Sequence, residues 1–289
     1  MSFKSFFKFL ISFLPYKYKL ILKYLKNFKK LPDLRKPKSF NEKVLHRIVY
    51  DKKSIYPLLA DKYQVRNYIE KSIGHEYLVP IIAIYDKADE LSKLHIWKNT
   101  VVKPNHGAGM VKIFDEEPSI QEKKNFIQEA KNWLEFDFGH YTGEWHYSLI
   151  QPKLIVEDKI SALDESLRDY KFHRFIQPDG SFKQILQIIA ERSSTGFETS
   201  FFDLNNLDYI IHSPFGYEIK LTNFEKEKIL KISKLNAKIC PDINYVRLDW
   251  YITSKNIYFG EITLTPGSGL SPNFGGDFGV KLGKLWMDA

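Results

Sequence analysis

Two carboxylates near the end of the chain have the spacing of a cation site. The stretch "YVRLDWYITSKNIYFGEITL" reads as a β-hairpin. A three-residue loop at Ser254-Lys255-Asn256 would set Asp249 directly opposite Glu261 and Arg247 opposite Thr263, all on one face. Val246, Leu248, Trp250 and Ile252 alternate with them and would point into a core. Acids facing each other across a ladder, with Cβ atoms ~5 Å apart, repel. A divalent cation removes that penalty, and oxygen-only ligands suit Mg²⁺, which keeps waters and phosphate oxygens in its shell. The competing account is a solvated strand face on which Arg247 neutralises the acids. The register also depends on the length of the loop.

The stretch "VVKPNHGAGMVKI", Val101 to Ile113, has the residues for an anion. Lys103 ends a buried-looking strand, where an ammonium is costly unless an anion pairs with it. His106-Gly107-Ala108-Gly109 follows, and its glycines let the backbone turn consecutive N–H groups towards phosphate oxygens. The chain returns at once as a strand. A Walker A loop or a dinucleotide fingerprint would open a helix instead. A plain structural turn also accounts for the glycines. Three further candidates have ordinary roles beside functional ones. Lys62 in "LADKYQVRNYI" is otherwise a solvated helical lysine, and Glu157, closing "PKLIVED", an exposed acid. Gly267, Ser268 and Gly269 form a loop beside the acids that binds an anion or substrate, or simply crosses from strand to helix.

The elements that position these residues are marked by their ends. Ser39 with Glu42, Ser119 with Glu122, and Thr222 with Glu225 are capping-box patterns for helices reaching about Tyr50, Phe138 and Cys240. A helix is expected over Ile55–Ser72, closed by Gly74. "YLVPIIAIYD" and "LIQPKLIVED" are β-rich, and "DYKFHRFIQPDGSFKQILQIIAER" is a hairpin around Pro178-Asp179-Gly180. The order gives an α+β fold in layers.

Composition narrows the classes. With 289 residues, 44% hydrophobic and 27% charged, the chain can bury a substantial core. Cys240 is its single cysteine, so no internal disulfide forms and a zinc cage lacks thiolates; a reducing, cytoplasmic setting is expected. The net charge of +8 is concentrated at the front: residues 1–53 hold 15 Lys and Arg against 3 acids, a balance of +12. Lysines interrupt every apolar run there, so none approaches the ~20 residues needed to span a bilayer. The front end is then either helices packed on the body or an interfacial helix resting on an anionic membrane through residues 1–30. No second basic patch supports nucleic-acid binding.

In this order the motifs "KPKSFNEKV", "LADKYQVRNYI", "IGHEYLVPII", "VVKPNHGAGMVKI", "EWHYSLIQPKLIVED", "DYKFHRF" and "VRLDWYITSKNIYFGEITLTPGSG" resemble the TupA-like branch of the ATP-grasp superfamily, over roughly residues 31 to 286. That branch is associated with teichuronopeptide and surface-polysaccharide biosynthesis. The resemblance implies two α+β lobes holding ATP between them. The expected division is a basic helical region at 1–75, a small lobe at 76–155 and a large lobe at 156–289. It implies that Lys62 and Lys103 meet the nucleotide phosphates, that His106 to Gly109 close over them, and that Val156 and Glu157 meet adenine and ribose. Arg247 matches an arginine steadying the transferring phosphate, and Lys171 a residue facing phosphate. Asp249 and Glu261 match magnesium ligands. The superfamily's usual third ligand, an asparagine, is replaced by Thr263. The implied activity is an ATP- and Mg²⁺-dependent joining of a carboxylate, a uronic acid or amino acid of a polysaccharide precursor, to an amine. The alternatives are a kinase on the same fold and a glycosyltransferase-like protein.

Overall fold

The computed structural model describes residues 14–161, 168–193 and 196–287. Its strands form two antiparallel sheets. The first has the order β1-β4-β2-β3, from β1 (Ile81–Tyr85), β2 (Thr100–Pro104), β3 (Lys112–Phe114) and β4 (Leu154–Asp158). The second has the order β10-β9-β5-β6-β7-β8, from β5 (Asp169–Ile176), β6 (Phe182–Ser193), β7 (Gly196–Asp203), β8 (Asn206–His212), β9 (Tyr245–Ile252) and β10 (Ile257–Thr263). The two sheets part after Asp158. A division between 155 and 156 therefore falls inside β4, whose neighbours on both sides, β1 and β2, belong to the first sheet.

The helices are α1 (Tyr16–Phe28), α2 (Phe40–Tyr50), α3 (Tyr56–Ala60), α4 (Val65–Ile73), α5 (Ile120–Glu135), α6 (Phe138–Thr142), α7 (Asn223–Asn236) and α8 (Gly276–Leu285). All three capping boxes form, at Ser39, Ser119 and Thr222. The single helix expected over Ile55–Ser72 is two. Asp61 turns its carboxylate to the N–H groups of Tyr63 and Gln64, at 2.8 and 3.1 Å, which ends α3 and starts α4.

The first sheet packs Val102, Leu154 and Val156 against Phe126 and Ala130 of α5, with Trp97 and Phe114 edge-on to the Phe126 ring. The second sheet buries both faces, in different ways. On one face Tyr170, Phe172, Leu186, Leu248 and Trp250 meet α3, α4 and α7. On the other, Phe175, Ile185, Phe201 and Tyr245 lie under Phe40, Val44 and Leu45 of α2 and Leu282 of α8. Further along that same face the residues become Arg247, Asp249, Lys171 and Glu261. Alternation along the strands carries one sheet surface from aromatic core to a field of charge. α1 closes the edge of the helical layer with Leu20 and Tyr24 buried, while Tyr18, Leu22 and Leu25 are exposed. Among the described residues no helix is long and apolar enough to cross a membrane.

Candidate functional site

The charged field is laid out by strand register. Glu261 pairs with Asp249, and Asp249 with Lys171 on β5; Thr263 pairs with Arg247, and Arg247 with His173. The expected facing of Asp249 with Glu261 and of Arg247 with Thr263 is therefore present, by a different route. Ile252 pairs with Ile257, so the loop is four residues long, Thr253 to Asn256. A bulge between Phe259 and Glu261 then restores the register. Gly260 sits in that bulge, where an added Cβ would lie 3.1 Å from the Asp249 carbonyl oxygen.

Arg247 is the hub. Its Nε donates to Asp249 Oδ1 at 2.7 Å, and its Nη2 donates to Asp249 Oδ2 at 2.7 Å, Glu261 Oε1 at 3.2 Å and Thr263 Oγ1 at 2.9 Å. Thr263 donates its hydroxyl to Glu261 Oε1 at 2.9 Å. Lys171 Nζ reaches Asp249 Oδ2 at 2.6 Å and lies 3.7 Å from Asp169. Burial opposes the charge on Asp249, but Arg247 and Lys171 outweigh it and hold the carboxyl down to about 2. Burial likewise opposes ionisation of Glu261, and Lys62 and Arg247 reverse that. Both acids stay ionised. His173, in the next row, is enclosed between Tyr245 Oη at 2.9 Å and Gln187 Oε1 at 3.0 Å. Burial, with Arg247 nearby, lowers it to about 3, so it is neutral and no proton carrier near pH 7.

The glycine loop comes from the other sheet. Lys103 on β2 is held by Glu157 Oε2 at 2.6 Å, and Arg66 of α4 approaches the other oxygen of the same carboxylate at 3.3 Å. The loop is anchored by buried Asn105, whose Nδ2 donates to Asp61 Oδ1 and to the Gln151 carbonyl, each at 3.0 Å. The Asn105 carbonyl in turn accepts from the Lys62 N–H at 2.9 Å. That bond fixes Lys62 beside the loop. The Lys62 ammonium donates to the Gly107 carbonyl oxygen at 2.5 Å and lies 3.4 Å from Glu261 Oε2. One side chain thus touches both the glycine loop and the acidic ladder.

Several expected contacts are not as the sequence suggests. Val156 is 0% exposed in the core of the first sheet, with strands on both sides, and offers no surface to a base. Glu157 is buried as the partner of Lys103 and Arg66. His106 is also buried, its Nε2 3.1 Å from the Phe136 carbonyl, so its side chain braces the loop from beneath. Gly107, with φ +73°, is packed so closely that a Cβ would stand 2.8 Å from the Phe138 ring, whereas Ala108 and Gly109 are exposed at the tip. Gly267, Ser268 and Gly269 are consecutive left-handed residues at φ +55°, +52° and +69°. Only Gly267 is exposed. A Cβ on Gly269 would meet the Asn41 carbonyl at 2.7 Å, so this glycine serves packing on α2. The Ser268 hydroxyl donates to Glu144 Oε2 at 3.0 Å, and Thr265 donates to Glu144 Oε1.

Glu144, Arg66, Asp61 and Asn105 therefore belong to the site's framework, although none has a sequence signature of that role. Glu144 is buried, and burial raises its carboxyl above the usual range despite the two hydroxyl donors. Its position in "EWHYSLIQPKLIVED" is the only hint the sequence holds.

The donors on this face are all oxygens, from Asp249, Glu261 and Thr263. That suits a hard cation such as Mg²⁺ better than a transition metal. Among the described residues no group of three or more His, Cys, Asp or Glu is placed to hold a metal. The oxygen donors suit such an ion by type, but in this structure Arg247, Lys171 and Lys62 occupy them. Arg247 therefore neutralises the acids here, and a cation would have to share or displace those contacts.

Residues 42–287 match the family described as TupA-like ATPgrasp. The chain belongs to that family. No curated protein matches it. Among solved structures, this TupA-like chain is similar to a D-alanine–D-alanine ligase from Helicobacter pylori, at 15% identity and a TM-score of 0.49, covering 80% of this chain and 62% of that one. It is also similar to the Bacillus anthracis D-alanine–D-alanine ligase complexed with ATP, at 18% identity and a TM-score of 0.43, covering 73% and 56%. A third is an N5-carboxyaminoimidazole synthetase from Staphylococcus aureus, at 14% identity and a TM-score of 0.40, covering 72% and 45%. The TupA-like chain spans less than two thirds of the length of each. Its two antiparallel sheets with flanking helices are the α+β ATP-grasp class that its motifs imply.

Proposed function

We propose that this protein is an ATP-dependent carboxylate–amine ligase, with its nucleotide bound between the Gly107 loop and the Asp249–Glu261 face. The observation that carries the reading is the Lys62 bridge between the Gly107 carbonyl and Glu261. It brings a phosphate-type loop and a cation-type face within reach of one side chain. Five cations, Lys62, Arg66, Lys103, Lys171 and Arg247, meet four carboxylates there, Glu157, Asp169, Asp249 and Glu261. Arg247, Lys171 and Lys62 keep Asp249 and Glu261 charged, and several cations converge where an anion would lie.

In this reading a substrate carboxylate oxygen attacks the terminal phosphorus of ATP, and the bond to ADP breaks to give an acyl phosphate. An amine then attacks the acyl carbon, phosphate leaves with the C–O electrons, and the amine nitrogen loses a proton to solvent. Such chemistry asks for alignment and charge neutralisation rather than a protein nucleophile. Lys103 and Lys171 would neutralise phosphate oxygens, with Glu157 and Asp249 fixing their positions. Arg247 would steady the transferring group. Asp249 and Glu261, with Thr263 adjoining, would hold Mg²⁺, which supplies further neutralisation of phosphate charge. The exposed tip at Ala108-Gly109 would close over the triphosphate, and Gly267 would face the carboxylate substrate.

The proposed substrate, a uronic acid or amino acid of a surface-polysaccharide precursor, rests on family association alone. A phosphate-release screen of uronic acids and amino acids against small amines tests the function. Release of ADP and phosphate requiring both carboxylate and amine, with an amide product, is expected. A stable phosphorylated product formed without any amine would replace the ligase with a kinase.

A further inference from the structure

A second cation-lined surface shares no residue with the Lys62–Asp249 cluster. A cavity of ≈ 640 Å³ opens between α2, the segment leading into it and the end of the chain. That is the size range of small-molecule sites, about 300–1,000 Å³. Six cations line it, Arg35, Lys36, Lys38, Lys43, Arg47 and Lys53, against one carboxylate, Asp51. Asp51 is already engaged, accepting from the Tyr56 hydroxyl and lying 3.4 Å from Arg47 Nε.

The cavity has a fixed floor and a charged rim. Arg47, 2% exposed, donates to the carbonyls of Tyr245 at 2.7 Å and Leu264 at 3.1 Å, and to Asn244 Oδ1 at 2.6 Å. Its guanidinium lies 4.5 Å from the centre of the Trp286 ring, and Lys43 donates to the Trp286 carbonyl. The rim is equally well held at its backbone. Asp33 Oδ1 accepts from the N–H groups of Arg35 at 3.0 Å and Lys36 at 2.9 Å, and Glu42 Oε2 accepts from Lys38 at 3.1 Å. The rim side chains of Arg35, Lys36, Lys38 and Lys53 are exposed, and among the described residues these four form no ion pair with a carboxylate. Even with Asp33 on the same loop, the pinned rim carries more basic than acidic side chains around a concave floor, which suits a compact, multiply charged anion.

We propose that this cavity binds a diphosphate ester, its phosphates on the rim cations and its organic portion towards Tyr50 and Trp286. A uronate carries a single charge and would meet few of the exposed rim cations Arg35, Lys36, Lys38 and Lys53, whereas a diphosphate engages several at once. The site shares no residue with the Lys62–Asp249 cluster, so the inference stands apart from the ligase reading.

The test is equilibrium binding to the full chain with the nucleotide site saturated by Mg²⁺ and a non-hydrolysable ATP analogue. The probes are inorganic pyrophosphate, uridine diphosphate and geranyl diphosphate. Saturable binding is expected, weakened about tenfold or more in the exposed-rim variant Lys36→Glu/Lys38→Glu, with affinity for the ATP analogue unchanged. Tighter binding of uridine diphosphate identifies a nucleotide-borne ligand, tighter binding of geranyl diphosphate a lipid-borne one, and equal binding a site for the diphosphate alone. The proposal is overturned if no probe binds, if the variant binds as the wild type does, or if sulfate competes as well as pyrophosphate. Circular dichroism of the variant, and Lys53→Glu as an independent rim change, separate lost binding from lost fold.

Discussion

Asp249 shows how far single residues can be read before a structure is known. Its pairing with Glu261 and its need for a counter-charge follow from strand alternation and Coulomb repulsion alone. Arg247, two residues away, could be named as one answer to that need. The shares of Lys171 at Asp249 and Lys62 at Glu261 could not, because they arrive from elements distant in sequence. Glu144 and Asn105 were illegible for the same reason, since a buried carboxylate or amide declares its role only through partners that folding supplies. Asp249→Asn should lower ATP-dependent phosphate release by about 100-fold or more, measured at saturating substrate. It should also change acid stability. A carboxyl held down to about 2 contributes stability that is complete above its unfolded value of 3.8 and is lost as pH falls towards 2. Between pH 4 and 2 wild-type stability should therefore fall more steeply than that of Asp249→Asn in urea titrations. Equal slopes would contradict the assigned charge state.

At the scale of elements, local signals were sound where one turn decides the matter. Each capping box formed because Ser39, Ser119 and Thr222 need only a partner three residues on. The terminal hairpin was harder. Its loop is one residue longer than expected, and the Gly260 bulge compensates, so the facing acids survive. Neither feature has a signal strong enough to read alone. β7 and β8 were similarly inconspicuous, because Leu204-Asn205 joins them without the Asn-Gly or Asp-Gly pair of a tight turn. The glycine loop gives the cleanest test at this scale. Gly107 and Gly109 both have positive φ, at +73° and +80°, but only Gly107 is hemmed in, with Phe138 2.8 Å from its missing Cβ. Gly107→Ala should displace the loop and the Lys62 contact, weakening ATP binding about tenfold or more, whereas Gly109→Ala carries only backbone strain of about 1 kcal/mol. Isothermal titration of ATP into both variants measures the difference; equal losses would mean that Gly107 is not the loop's structural pivot.

For the whole molecule, charge is distributed by end. Of the basic first 53 residues, several between Arg35 and Lys53 line the α2 cavity, and the body holds the paired site. α1 is bound to that body by Leu20 and Tyr24 and by the bond from Asn27 Nδ2 to the Leu270 carbonyl, so removing residues 1–30 would open the core. The expected interfacial helix lies partly at residues 1–13, outside the described residues, and deletion of 1–13 alone is the appropriate test. If that segment rests on membrane, the deletion should lower co-sedimentation with phosphatidylglycerol vesicles and leave ATP affinity unchanged; undiminished co-sedimentation would remove the interfacial role. The order of the two sheets along the chain was legible from the motifs, but their meeting through Lys62 was not, because no periodicity encodes a contact between lobes. That meeting is the centre of the account. It is tested most directly by a crystal structure of the full chain with Mg²⁺ and a non-hydrolysable ATP analogue. Phosphates are expected between the His106–Gly109 loop and Lys103 on one side and Asp249, Glu261 and Arg247 on the other. A nucleotide bound elsewhere, with Lys62 still joining Gly107 to Glu261, would contradict it.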